Sequence, residues 1–128
     1  MIFEMKKTKG QIEADISEAV IKFEKEFMGR GPIETKTYIL DDLVLVRLKR
    51  VLTKAEHQLA LADNSGRGRQ LIKQMRVELL EKGRPLLEAI VEDILGQEVK
   101  SLHTDISTIT GERIIIFTLG APPKFEHL

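Results

Sequence analysis

Cysteine is absent from this chain of 128 residues, which removes disulfides, thiolate metal sites and cysteine nucleophiles and suits a cytoplasmic protein. Tryptophan is missing too, and with one tyrosine and five phenylalanines there is little from which to build a stacking platform for single-stranded nucleic acid. Neither sign of charge prevails. Lys and Arg number 20 and Asp and Glu number 20, so no overall field draws the chain to DNA, RNA or anionic lipid, and no nucleic-acid partner is expected. Long apolar runs are also lacking: Ile114 to Phe117 falls far short of the ~20 residues that span a bilayer, and no direct membrane insertion is expected. At the N-terminus, Met1-Ile2-Phe3-Glu4-Met5-Lys6-Lys7 places its lysines after a very short apolar stretch, the wrong order for a secretory signal.

What is present suffices for a packed core. A hydrophobic fraction of 42% and a charged fraction of 31% belong to a globular chain rather than a disordered one. A single domain over residues 1–128 is expected, with an ordered core at about 8–119 and a loose tail at 120–128. Ile12, Ile16, Ala19, Val20, Phe23 and Phe27 recur at helical spacing. Thr8 and Gln11 make a capping box before them, and Met28-Gly29-Arg30-Gly31-Pro32 stops the helix after them. Ile33 to Leu40 and Leu43 to Leu48, separated by Asp41-Asp42, read as a tight hairpin. Thr53-Lys54-Ala55-Glu56 opens a short helix that runs to about Asp63.

A longer helix follows, ended by Gly96, with Ile72, Met75, Leu79, Gly83, Leu86, Leu87, Ile90 and Ile94 as its apolar stripe. Pro85 cannot donate to the carbonyl of Glu81, so the helix should kink or restart near Gly83-Arg84, and a kink near Gly83-Pro85 is the expectation. Val99 to Ser107 and Glu112 to Leu119 read as a second hairpin, with Gly111 suited to a positive φ. The fold class is therefore α+β in the order α-β-β-α-α-β-β, a mostly antiparallel four-stranded sheet backed by helices. Leu43 to Leu48 and Ile114 to Phe117 are apolar at consecutive positions, which places them at the sheet centre and calls for cover on both faces. Strand order is not fixed by this reasoning.

Three constellations carry possible chemistry. The glycine-arginine loops, with Arg30, Gly31, Arg67, Gly68 and Arg69, offer free amides and guanidinium forks to an anion, the second at the start of the long helix. They match no P-loop or dinucleotide fingerprint, and solvated turns are the plainer alternative. His103 and Asp105 share one face of a strand, with Glu112 and Arg113 opposite. A metal there lacks a third ligand, the other histidines being His57 and His127, and turn-shaping hydrogen bonds explain Asp105 more simply. Arg47, Lys49, Arg50 and Lys54 form the densest basic cluster, read as nucleic-acid contact or as a solvated surface. No nucleophile elbow or metalloprotease helix occurs, so no catalytic residue, metal or cofactor is expected.

The segment Gln11 to Ser17 leading to Met28-Gly29-Arg30-Gly31-Pro32, together with Leu102-His103-Thr104-Asp105-Ile106-Ser107 and Thr110 through Phe117, resembles the MpsC-like domain of bacteria. That resemblance covers nearly the whole chain and implies a small cytoplasmic protein of a family without an assigned biochemical activity. It further implies an accessory or regulatory role beside a membrane ion-transport system, with a transport protein as a possible partner. It carries over no catalytic residue; Gly29, Arg30, Gly31, Asp105, Gly111, Glu112 and Arg113 match as pattern positions only. The reading that follows is a non-enzymatic regulatory module, expected to be a homodimer because two strands apolar on both faces need more cover than three helices supply. The alternative is a small-anion or nucleotide sensor built on the glycine-arginine loops.

Overall fold

The structure, a computed structural model, describes residues 7–62 and 64–126. The N-terminal stretch weighed as a signal, the expected helix end at Asp63, and His127 lie outside them. Helix α1 (Lys9–Met28) starts with both hydrogen bonds of the Thr8–Gln11 capping box and ends on Gly29 at φ 80°. Strands β1 (Glu34–Leu40) and β2 (Leu43–Lys49) form the first hairpin. Helix α2 (Lys54–Leu61) begins with the Thr53–Glu56 capping box. Helix α3 (Arg67–Leu95) runs unbroken through Pro85, so no restart occurs there. Strands β3 (Val99–Ile106) and β4 (Arg113–Leu119) make the second hairpin, and Gly111 in its turn takes φ 74°.

The four strands are antiparallel in the order β1-β2-β4-β3, so the two runs apolar at consecutive positions occupy the centre as expected. The helices cover one face. Val44, Val46 and Leu48 of β2 meet Ile115, Phe117 and Leu119 of β4 beneath Ile16, Val20 and Phe23 of α1 and Leu80, Leu87 and Val91 of α3. The other face carries Tyr38, Leu40 and Leu43 exposed and Leu45, Ile114 and Ile116 half-buried. The second cover that these strands call for is therefore not supplied by the described residues.

Two details depart from the pattern read above. The buried line of α3 is Ile72, Arg76, Leu80, Gly83, Leu87, Val91 and Leu95, while Met75 and Leu86 are exposed. The expected stripe falls partly on the neighbouring face, because the inward position of that turn is filled by arginine. Beyond Leu119, Pro123 is buried, Phe125 rests on the core, and the amide of Glu126 donates to the carbonyl of Lys7 at 3.0 Å. The expected loose tail thus lies against the body as far as Glu126. Gly83 faces inward as expected: a Cβ there would come within 2.6 Å of the Phe23 ring, which itself stacks on Phe27 at 4.7 Å.

Candidate functional site

One end of the sheet brings together segments far apart in the chain. The amide of Val51 donates to the carbonyl of Gly111 at 2.9 Å, which ties the exit of β2 to the turn before β4. Arg30, just past α1, donates through Nη1 to the carbonyl of Leu52 at 2.8 Å. Between these ties and the first turn of α2 opens a cavity of about 520 Å³, lined by Arg30, Ile33, Arg50, Leu52, Thr53, Lys54, His57, Gln58 and the turn Ile109–Thr110–Gly111.

Its charge is one-sided. Arg30, Arg50 and Lys54 line it with His57, no carboxylate does, and none of the three cations has an ion-pair partner among the described residues. Arg50 adopts φ 55°, a left-handed backbone that costs a non-glycine residue roughly 1–3 kcal/mol and that clusters at functional positions. Ile33 and Ile109, 63% and 89% exposed, add apolar edges. Convergent cations beside apolar surface suit a small anion with an organic body.

Behind the cavity lies a buried charge network. Arg76 of α3 donates from Nε and Nη2 to both carboxylate oxygens of Glu56, at 2.7 and 2.6 Å, and from Nη2 to the carbonyl of Val51 at 2.9 Å. It therefore braces the Arg50–Thr53 loop and the capping box at once. Glu24 of α1, fully buried, stands 3.7 Å from Arg76 Nη1 and 3.6 Å from Nη1 of Arg113 on β4. Neither contact is a hydrogen bond, and both Glu24 oxygens are otherwise unpartnered among the described residues. Burial pushes the Glu24 carboxyl above its ordinary value, against the pull of Arg113 and Arg76. Burial also draws Arg113 below the usual arginine value, with Glu24 opposing.

Glu56 moves the other way. Burial opposes its ionisation, but the hydrogen bonds from Arg76 and Thr53 outweigh this and hold it below its ordinary 4.5. A carboxylate with a depressed folded pKa contributes stability that is present above its unfolded pKa and lost as pH falls through the folded one. Below about pH 4.5 the wild type should lose melting temperature more steeply than Glu56→Gln, which keeps a capping side chain but cannot titrate. Parallel acid limbs for the two proteins would show that Glu56 is not held as described.

The residues singled out from the sequence are dispersed. Arg30 lines the cavity; Gly31 sits beside it, packed against the Lys25 side chain. Arg67 is exposed at the start of α3, and the chain around Gly68 and Arg69 is closed over by α2: Gly68 lies under the carbonyl of Leu59, and Arg69 Nη1 donates to the carbonyl of Ala60 at 3.4 Å. The positive end of α3 thus faces the carbonyl end of α2. His103 and Asp105 share the uncovered face, where His103 meets Ser101 Oγ and Asp105 pairs with Lys73 at 3.6 Å. Glu112 pairs with Arg47 at 2.6 Å, and Arg113 points to the opposite, buried face. Among the described residues no group of three or more carboxylates and histidines is placed to hold a metal ion.

The basic cluster that the sequence displayed divides in two. Arg47 and Lys49 go to acidic partners on the uncovered face, while Arg50 and Lys54 turn into the cavity. The inward position of Glu24, Glu56 and Arg76 had no sequence signal beyond the capping role of Glu56.

Comparison with known proteins bears on the same segments. Residues 8–121 match the family described as the Na+-translocating membrane potential-generating system (MpsC). The chain belongs to the MpsC family. Within reach of that assignment, it is 46% identical over 115 residues to the uncharacterized protein YbcI of Bacillus subtilis (strain 168), with 90% of each chain covered. No solved structure matches. The MpsC match runs from the Thr8 cap to just beyond β4, so every cavity-lining residue falls within it. Among the described residues, no helix is long and apolar enough to cross a membrane.

Proposed function

We propose that this protein is a non-enzymatic regulatory module that binds a small organic anion, of the phosphate or carboxylate class, in the cavity between α2, β2 and the β3–β4 turn. The observation that carries this reading is the convergence of Arg30, Arg50 and Lys54 on one cavity without a carboxylate in its lining. Arg30 spends one nitrogen on the carbonyl of Leu52 and keeps its remaining donors for a ligand. The family description supports placing this sensing role beside a membrane ion-transport system, with a transport protein as the partner that reads the bound state.

Thermal-shift and calorimetric titration with inorganic phosphate, nucleotides and dicarboxylates test it. A ligand at about 100 times its Kd adds about 2.7 kcal/mol to stability, and the ligand is expected back chemically unchanged. Arg50→Ala and Lys54→Ala should each weaken binding by about tenfold or more, as the loss of a charge-assisted hydrogen bond does. Arg67→Ala and Arg69→Ala should leave it unaltered. Affinity that tracks Arg67 and Arg69 instead would move the site to the second glycine-arginine loop, and no response to any of these anions removes the reading.

A further inference from the structure

The uncovered sheet face has an order that its register reveals. Outward side chains fall into three rows across β1, β2, β4 and β3: Lys36, Arg47, Ile114, Asp105; then Tyr38, Leu45, Ile116, His103; then Leu40, Leu43, Thr118, Ser101. The centre is apolar, with Leu45 and Ile116 half-buried side by side and Tyr38, Leu40 and Leu43 at 43%, 55% and 38% exposure. The first row is polarised. Lys36, 63% exposed at its side chain, stands on one edge strand, and Asp105, 82% exposed, on the other.

From this arrangement we propose that a second copy of the chain covers the face, related by a two-fold axis lying between the sheets and parallel to the strands. Rotation about that axis lays β1 of one copy over β3 of the other while keeping each row at its own height. Lys36 then faces Asp105 of the second copy at both edges, Tyr38 faces His103, and the Leu45–Ile116 pairs stack at the centre. Arg47 meets an aliphatic side chain in either arrangement, Ile114 or Leu43, but the alternative in-plane axis, across the strands, reverses the rows and sets Lys36 against Leu40 with no carboxylate opposite it. That buries charge on apolar surface, which is costly without a partner. The local partners of the rim charges are weak and exposed: Glu34 for Lys36 at 3.9 Å and Lys73 for Asp105 at 3.6 Å, so both remain able to pair across the interface. Arg47 stays neutralised by Glu112 at 2.6 Å. The packing is that of two aligned sheets sharing one apolar layer, and an isologous contact of this kind closes on itself. It also places both cavities at the same end of the assembly.

Light scattering coupled to size exclusion, on the full chain at micromolar concentration, tests association. A dimer is expected. Leu45→Lys should raise the dimer dissociation constant by about tenfold or more, with the circular dichroism spectrum of the wild type. Tyr38→Glu, on the edge strand, serves as the second disruptive variant should the first fail to fold. Lys36→Asp alone should weaken the dimer, and Lys36→Asp combined with Asp105→Lys should restore it. A monomeric wild type, or dimers indifferent to Leu45→Lys and Tyr38→Glu, overturns the proposal. A charge swap that fails to restore association overturns the axis chosen here.

Discussion

Replacing Arg76 with methionine should destabilise the protein by about 3–5 kcal/mol, the range found when one partner of a buried ion pair is removed. Arg76 is 1% exposed and stands between two acidic side chains from different helices, Glu24 and Glu56. Methionine fills most of the volume, so the loss is not chiefly one of packing. What remains is two buried carboxylates with one buried cation, Arg113, and a Val51 carbonyl without its donor. Against a total stability of about 5–15 kcal/mol for a domain of this kind, the urea midpoint should fall by about a fifth or more. The physical cause is testable within the same series: adding Glu56→Gln to Arg76→Met should return much of the stability, because the surplus carboxylate is gone, Glu24 keeps Arg113 beside it, and the capping side chain at position 56 is kept. A single variant within about 1 kcal/mol of wild type would mean that Arg76 does not neutralise these carboxylates.

The same residue shows where sequence reasoning ran out. The element order was legible because its punctuation is local: two capping boxes at Thr8 and Thr53, glycines at Gly29 and Gly96, and β-rich runs on either side of Asp41-Asp42. The inward face of α3 was not, since an arginine at a core position carries the pattern of a surface residue, and the apolar spacing passes through exposed Met75 instead. Arg76 is inward because its acidic partners arrive from α1 and α2, a fact of tertiary packing that no window along one helix contains. The cavity was legible only in pieces. Arg30 was marked by its glycine loop, Arg50 and Lys54 by local charge density, and His57 only as a remote metal ligand. Their meeting with Ile109–Gly111 depends on β2 lying beside β4, and strand order is the property that short-range patterns leave open.

Gly68 and Gly10 provide a matched pair in which the same substitution should act with opposite sign. Each is the second residue of its helix, α3 and α1 respectively. A Cβ at Gly10 meets nothing within 4 Å, whereas one at Gly68 lies 2.1 Å from the carbonyl oxygen of Leu59 and 3.0 Å from its carbon. Gly10→Ala should therefore stabilise by about 0.4–1 kcal/mol, through a less mobile unfolded chain and better helix propensity. Gly68→Ala should destabilise by about 1–3 kcal/mol or more, because the obstacle is backbone and α2 must move away as a unit. The direction of the second effect decides what the glycine is for. Were Gly68 part of an open anion loop, alanine there would cost binding and leave folding unharmed; packed beneath α2, it costs folding, and phosphate or nucleotide binding at Arg50 and Lys54 weakens only as far as the displaced α2 carries Lys54 with it. Chemical denaturation of the two variants beside wild type gives both signs, and a neutral or stabilising Gly68→Ala would refute the close approach of the two helices.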